Sequence, residues 1–239
     1  MREFKIRASA IGQIMTEPRT KSETLSETCK TYLREWWVSE KYGRRKDFAN
    51  KFTEKGNAVE EDSITLLSVA DGVVHLKNEQ HYSDSHITGT PDIVTDAEVI
   101  DIKSSWDIFT FHKSKLERKL DNGYWWQVQG YMALTGKESA RVVFCLVDTP
   151  EWLINEEKRR YAYRNGDSID ITAGLDEIDR NMTFSDIPPN ERIATFYVTA
   201  DPESIAAIRQ RVEQCREYLN TLAATEAKGK RKGELTTGA

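Results

Sequence analysis

The chain has 239 residues, 38% hydrophobic and 31% charged, with a formal net charge of −5; it can bury a sizeable core and is too acidic overall to coat nucleic acid through excess cations. No run nears the roughly 18 consecutive apolar residues of a membrane helix, and Met1-Arg2-Glu3-Phe4-Lys5 has no apolar signal-peptide core, so a soluble cytoplasmic protein with no membrane partner is expected. Cys29, Cys145 and Cys215 are odd in number and widely spaced, which excludes a disulfide framework and a four-thiolate iron–sulfur cluster within one chain.

The first predicted helix spans Leu25 to Tyr42, capped by Ser22 or Ser26 and carrying Leu33, Trp36 and Trp37 as bulk. A second runs from about Glu54 to Ala70 and stops at Gly72. Short β-prone runs follow at Val73 to Lys77, Glu79 to Ser83, Asp92 to Thr95 and Glu98 to Lys103, the last two joined as a hairpin at Asp96-Ala97. A basic and aromatic connection then leads to a helix over Gly123 to Thr135 closed by Gly136, a doubly buried strand over Arg141 to Val147, and a helix over Trp152 to Arg164. Asn165 to Asn190, with its Gly, Asp and Pro188-Pro189, reads as a loop. Ile193 to Thr199 is the last strand, and Asp201-Pro202-Glu203 opens a helix whose Ile205, Ile208, Val212, Cys215, Leu219 and Leu222 fall on one face. This order predicts an α/β fold, a central mixed sheet flanked by helices. Residues 1–226 are expected to form a single domain and 227–239 a disordered basic tail.

Chemistry concentrates in Thr-Pro-Asp-Ile-Val-Thr-Asp-Ala-Glu-Val-Ile-Asp-Ile-Lys, residues 90–103. Alternation along a strand puts Asp101 and Lys103 on one face and Ile100 and Ile102 on the other, while the hairpin brings Asp92 beside Asp101. Two close carboxylates repel unless a cation lies between them, and Mg²⁺ binds through a few carboxylate oxygens, with water and phosphate completing its shell. Lys103 would then lie where charge grows on a phosphate during hydrolysis. On this stretch alone, a polar hairpin face explains the residues as well as a metal site does.

Two further features weigh in. Gly56-Asn57-Ala58-Val59-Glu60 places Glu60 on the second helix, and Gln127 and Tyr131 are spaced to share a helix face that also carries Tyr124. Gly56…Glu60, Asp92, Asp101-x-Lys103 and Gln127…Tyr131, in this order, resemble the motif set of the PD-(D/E)XK nuclease superfamily in its RecB-like branch. Arg2, Ala8-Ser9, Ile14-Met15 and Pro18-Arg19 are similar to the opening of the phage lambda-type and YqaJ-type viral recombination exonucleases. The resemblance spans about residues 1 to 147, strongest over 56–147.

The resemblance implies a restriction-endonuclease-like core completed by the strand and helix of 193–226. It further implies Mg²⁺ or Mn²⁺ held by Asp92, Asp101, the Ile102 carbonyl and Glu60, with Lys103, Gln127 and Tyr131 also catalytic. Arg2, Ser9, Arg19, Thr90 and Gln127 would form a pocket for the 5′-phosphate of a DNA end. Asp101 stands where this exonuclease group usually carries glutamate, and Thr90 where it carries serine. The expected activity is 5′→3′ exonucleolytic degradation of linear double-stranded DNA for phage-type homologous recombination, in the cytoplasm of a bacterial or phage-infected cell. A homo-oligomeric ring, by resemblance a trimer, and a single-strand annealing protein are implied partners. An endonuclease or flap nuclease of the RecB type, and a non-catalytic DNA-binding module on the same fold, are the alternatives.

Overall fold

The computed structural model describes residues 2–44, 46, 51–165 and 171–236, with side chains as far as Glu226. A short strand β1 (Ile6–Arg7) runs through a 3-10 turn (Ala8–Ala10) into α1 (Ile11–Ile14) and α2 (Glu27–Tyr42). Ser26 caps α2, accepting a hydrogen bond from the Cys29 amide. α3 (Lys51–Ala58) and α4 (Glu60–Asp71) replace the one helix expected there. The break falls at Val59, whose non-helical backbone (φ −112°, ψ 16°) seats its side chain in the core. Gly56 and Asn57, both poor helix formers, precede that break.

The strands β2 (Tyr82–Ser83), β3 (Ile87–Gly89), β4 (Ile93–Val94) and β5 (Val99–Ser104) follow, then α5 (Ile108–Glu117), α6 (Asn122–Thr135) and β6 (Ser139–Cys145). α7 (Glu151–Asn165), α8 (Thr172–Met182), β7 (Ile193–Thr199) and α9 (Pro202–Thr236) complete the described chain. β1, β3 and β2 pair in that order in one sheet, and β4, β5, β6 and β7 in another. The architecture is the α/β one expected, a mixed sheet with β5 and β6 parallel and helices on both faces. On one face, Val99, Val142 and Val198 pack with Val128, Tyr131 and Met132 of α6 and Ile208 and Val212 of α9. On the other, Ile100, Ile102 and Val143 pack with Ile64, Leu66 and Leu67 of α4. Cys29 and Cys215 are buried, their Sγ atoms 3.8 Å apart between α2 and α9.

Several expectations change. Val73 to Lys77 is not a strand: Val73, Val74 and Leu76 are 59%, 80% and 76% exposed, so β-branched content there meets no partner. The expected loop after Asn165 contains α8, which packs on α7; residues 166–170 of it lie outside the described residues. The basic and aromatic connection forms α5, capped by Asp107. The helix backbone of α9 continues to Thr236, through Gly229 and Gly233 as well as the helix-forming Ala, Lys, Arg and Glu, where the sequence suggests a disordered tail from 227; residues 237–239 lie outside the described residues.

One large core side chain is a lysine. Lys55 is 1% exposed, donates from Nζ to the Trp106 carbonyl at 2.9 Å, and lies against the rings of Trp106 and Phe184. Burial pulls its ammonium down to about 8, against the opposing charges of Asp107 and Asp148. Since the unfolded chain binds that proton up to a normal lysine pKa, Lys55 lowers stability at neutral pH and ceases to do so as pH rises from about 8 to about 10.5. Urea unfolding at pH 7 and pH 10 is expected to show wild type gaining about 2 kcal/mol relative to Lys55→Met; a difference independent of pH would refute this.

Candidate active site

The strand β5 ends the hydrophobic alternation with two charges on its α6 face. Asp101 is 1% exposed there, and Lys103 follows one pleat along, its Nζ 2.9 Å from Asp101 Oδ2. The ammonium thus lies directly against the buried Oδ2 and partly offsets its charge. Asp101 Oδ1 accepts from Gln127 Nε2 at 2.8 Å, and the same Nε2 donates to the Tyr131 hydroxyl at 3.1 Å. Lys103 Nζ donates to Gln127 Oε1 at 3.2 Å and lies over the Tyr124 ring at 4.8 Å. One helix face of α6 thus clamps both charged groups of β5, as the spacing of Gln127 and Tyr131 predicts.

Asp92 enters from the hairpin partner. The turn at Asp96-Ala97 closes with the Thr95 amide donating to the Glu98 carbonyl at 2.9 Å, and Ile93 pairs with Ile100. β4 is too short to reach Ile102, so the Ile102 amide donates to the Asp92 carboxylate at 2.6 Å. Because N–H and C=O of one strand residue point to the same side, the Ile102 carbonyl is on that edge too.

The electrostatics follow from burial. Burial, then repulsion from Asp101, pushes Asp92 up to about 7 despite the Ile102 amide. Burial raises Asp101 as well, with Lys103 opposing. For Lys103, burial pulls the pKa down, but Asp101 and Asp92 outweigh it and hold the ammonium charged. Tyr131 is raised by burial and by Asp101 and stays a neutral phenol.

Two crowded carboxylates with a single lysine to offset them suit a hard divalent cation, which needs only one or two carboxylates beside water and phosphate. Among the described residues no group of three His, Cys, Asp or Glu is placed to hold a metal. Glu60 begins α4 close enough to raise Asp92, yet its carboxylate is ion-paired to Lys77 at 3.0 Å. With Glu61 and Asp62 it also occupies the helix first turn, where acidic groups are favoured on general grounds.

The proposed phosphate-pocket residues are less concentrated. Thr90 is exposed between β3 and Asp92, and Ser9 is exposed on the 3-10 turn, whose Ala8 packs against α6 at Gly130. Gly89, just before Thr90, lies close against the Tyr131 ring, where a Cβ would meet Cε1 at 2.8 Å. Arg2 is ion-paired to Glu40 of α2 at 2.7 Å, and Arg19 is exposed before α2. Among the described residues no hydrogen bond or ion pair joins Arg2, Ser9 or Arg19 to Thr90 or Gln127. In the basic and aromatic connection, Phe111 is fully buried and Trp106 packs edge-on to Phe52. Sequence reasoning missed Lys55 and His81, since neither a lysine's burial nor a histidine's partners leave a mark in local pattern.

The structure is similar to solved exonucleases over nearly its whole length. A phage-related exonuclease from Haemophilus somnus 129PT has 29% sequence identity and a TM-score of 0.76, with 94% of this chain and 97% of that one covered. The alkaline exonuclease LHK-Exo from Laribacter hongkongensis, also solved in complex with dAMP, has 17% identity and a TM-score of 0.64, with 97% and 94% covered. At that identity the Laribacter enzyme speaks for the fold alone. The Haemophilus protein bears out the resemblance to the phage-type exonucleases, and the Laribacter enzyme bears out the fold. No family model and no curated protein matches the chain.

The elevated Asp92 gives a stability signature in metal-free protein. The folded state binds this proton between about 3.8 and about 7 while the unfolded state releases it, so stability falls as pH rises through that window. Asparagine can still accept from the Ile102 amide but carries no charge. In EDTA, Asp92→Asn is expected to gain on wild type by about 2 kcal/mol between pH 5 and pH 8, read by denaturant unfolding; a constant gap would rule this out.

Proposed function

We propose that this protein is a nuclease, and more finely a Mg²⁺- or Mn²⁺-dependent 5′→3′ exodeoxyribonuclease acting on linear double-stranded DNA. The observation that carries the reading is the buried cluster in which Gln127 and Lys103 bracket Asp101 while the Ile102 amide holds Asp92 beside it. The likeness to the Haemophilus exonuclease over nearly the full length of both chains supports the exonuclease class, and the dAMP held by the Laribacter enzyme supports a nucleotide ligand.

In this reading Asp92, Asp101 and the Ile102 carbonyl hold the metal, with Glu60 contributing through its waters or a second ion. When bound, the ion supplies Lewis-acid charge at the scissile phosphate and lowers the pKa of water. Lys103 keeps its proton because Asp101 and Asp92 face it, and so places a fixed positive charge where the phosphate oxygens gain negative charge. Gln127 spends its amide on Asp101 and Tyr131 and its carbonyl on Lys103. It therefore orients the carboxylate and the ammonium together, and Tyr131 fixes Gln127 in turn. No helix among the described residues is long and apolar enough to cross a membrane.

The 5′-phosphate of the DNA end is taken by Thr90 and Ser9, with Arg2 and Arg19 as its cations and Gln127 at its inner side. Arg2 must leave Glu40 to reach it, an exposed ion pair of little energetic weight. Residues 1–226 act as one nuclease domain, at work in the cytoplasm of a bacterial or phage-infected cell. A homo-oligomeric ring and transfer of the exposed strand to a single-strand annealing protein, for recombination, complete the proposal by resemblance.

The test uses Mg²⁺ and three DNAs: linear with 5′-phosphate, linear with 5′-hydroxyl, and covalently closed circular. Wild type is expected to degrade the linear forms, fastest with 5′-phosphate, and to leave the circle intact. Lys103→Ala is expected to lose on the order of 10³-fold in rate, the scale for removing one preorganised charge from a transition state. Cutting of the circle would exclude the exonuclease reading, and full activity in Lys103→Ala would exclude this site.

A further inference from the structure

The edge of the small sheet carries a polar arrangement that the catalytic cluster does not use. β2 and β3 are antiparallel with Tyr82 opposite Gly89 and Ser83 opposite Thr88, so continuing the register places His81 opposite Thr90. His81 Nδ1 is 3.0 Å from Thr90 Oγ1, and His81 Nε2 is 2.7 Å from Thr88 Oγ1. The imidazole bridges two threonines that alternate along one strand and share its outer face. Both His81 and Thr90 are exposed, and Thr90 is separated from Asp92 only by Pro91.

We propose that His81 is a positioning residue for DNA-end recognition: by donating from Nδ1 to Thr90, it leaves the Thr90 hydroxyl proton free for a terminal phosphate oxygen. This rests on the reading of Thr90 as part of the 5′-phosphate pocket. The argument is a proton count. A neutral imidazole has one N–H, and each threonine hydroxyl has one proton to give. If Nε2 carries the hydrogen, it donates to Thr88, whose own proton turns to the Tyr82 carbonyl at 3.4 Å. Thr90 must then give its proton to Nδ1 and can present only lone pairs to an incoming anion.

If Nδ1 carries the hydrogen, Thr88 donates to Nε2 and Thr90 accepts from the ring. The Thr90 proton then points outward. A phosphate favours this second state because it accepts only hydrogen bonds, and the 3.4 Å contact to Tyr82 that must be surrendered is too long to hold the first state firmly. The backbone on either side of Thr90 is packed, with Gly89 against Tyr131 and Pro91 buried. His81 thus couples Thr88 to the phosphate-binding hydroxyl through one ring.

The experiment compares wild type with His81→Ala, His81→Asn and His81→Gln on linear duplexes bearing a 5′-phosphate or a 5′-hydroxyl, each variant first shown to unfold at the wild-type temperature. The readout is the ratio of the two rates. His81→Ala is expected to lower that ratio about tenfold, the scale of one hydrogen bond to a charged group. Asparagine places an N–H near Nδ1 and is expected to restore the ratio, whereas glutamine places it near Nε2 and is not. An unchanged ratio in His81→Ala, an equal fall on both substrates, or restoration by glutamine and not asparagine would each overturn the inference. A wild type that does not distinguish the two ends would overturn the 5′-phosphate reading itself, and this inference with it.

Discussion

The site depends on holding two carboxylates together out of water. Asp101 lies under α6 and Asp92 at its side, and burial acts on both in the same sense, raising the energy of the charged forms. What offsets that cost is local: a strand amide on Asp92, a helix amide on Asp101, and one ammonium shared by both. None of these groups removes the repulsion. The fold keeps a site with unsatisfied negative charge, and the surrounding core of Ile93, Ile100, Val128 and Val142 supplies the stability to keep it.

The position of α6 is therefore decisive. Its inward face is apolar at Val128 and Met132 and polar at Gln127 and Tyr131, so one helix packs the sheet and orders the site at once. The close approach that makes this possible uses glycine. Gly130 admits Ile11, which a Cβ would meet at 2.4 Å, and Gly89 admits the Tyr131 ring. Through these contacts the first fourteen residues and the small sheet are pinned to the helix that holds Asp101. Thr90 and His81 thus share their support with the helix that holds Asp101.

The hairpin and the α6 face were legible in the sequence because both are local patterns: period-2 alternation across Asp96-Ala97, and a four-residue spacing on a helix closed by Gly136 at φ +71°. Of the small sheet only β2 was legible, within the β-prone run Glu79 to Ser83. Its strands have two or three residues, too short for any period to register, and β1 pairs with a segment about 80 positions away. Val73 to Lys77 misled because β-branched content marks a strand only when a neighbour pairs with it. α8 was hidden by Gly174, which accommodates the Tyr161 hydroxyl where any Cβ would collide. Lys55 left no trace, since burial of an ammonium is decided by a helix and a loop that converge only in three dimensions.

A short acid at position 101 also has consequences for precision. Aspartate has one rotatable bond fewer than glutamate, so its carboxylate loses less freedom when held but cannot reach outward to meet a displaced ligand. The helix must then come to it, and Gln127 does so at 2.8 Å. With Oδ1 fixed by that amide, Oδ2 meets the Lys103 ammonium at 2.9 Å, so both oxygens are held. A site of this kind gains its accuracy from preorganisation of β5 and α6, the two elements that carry its charged and amide groups.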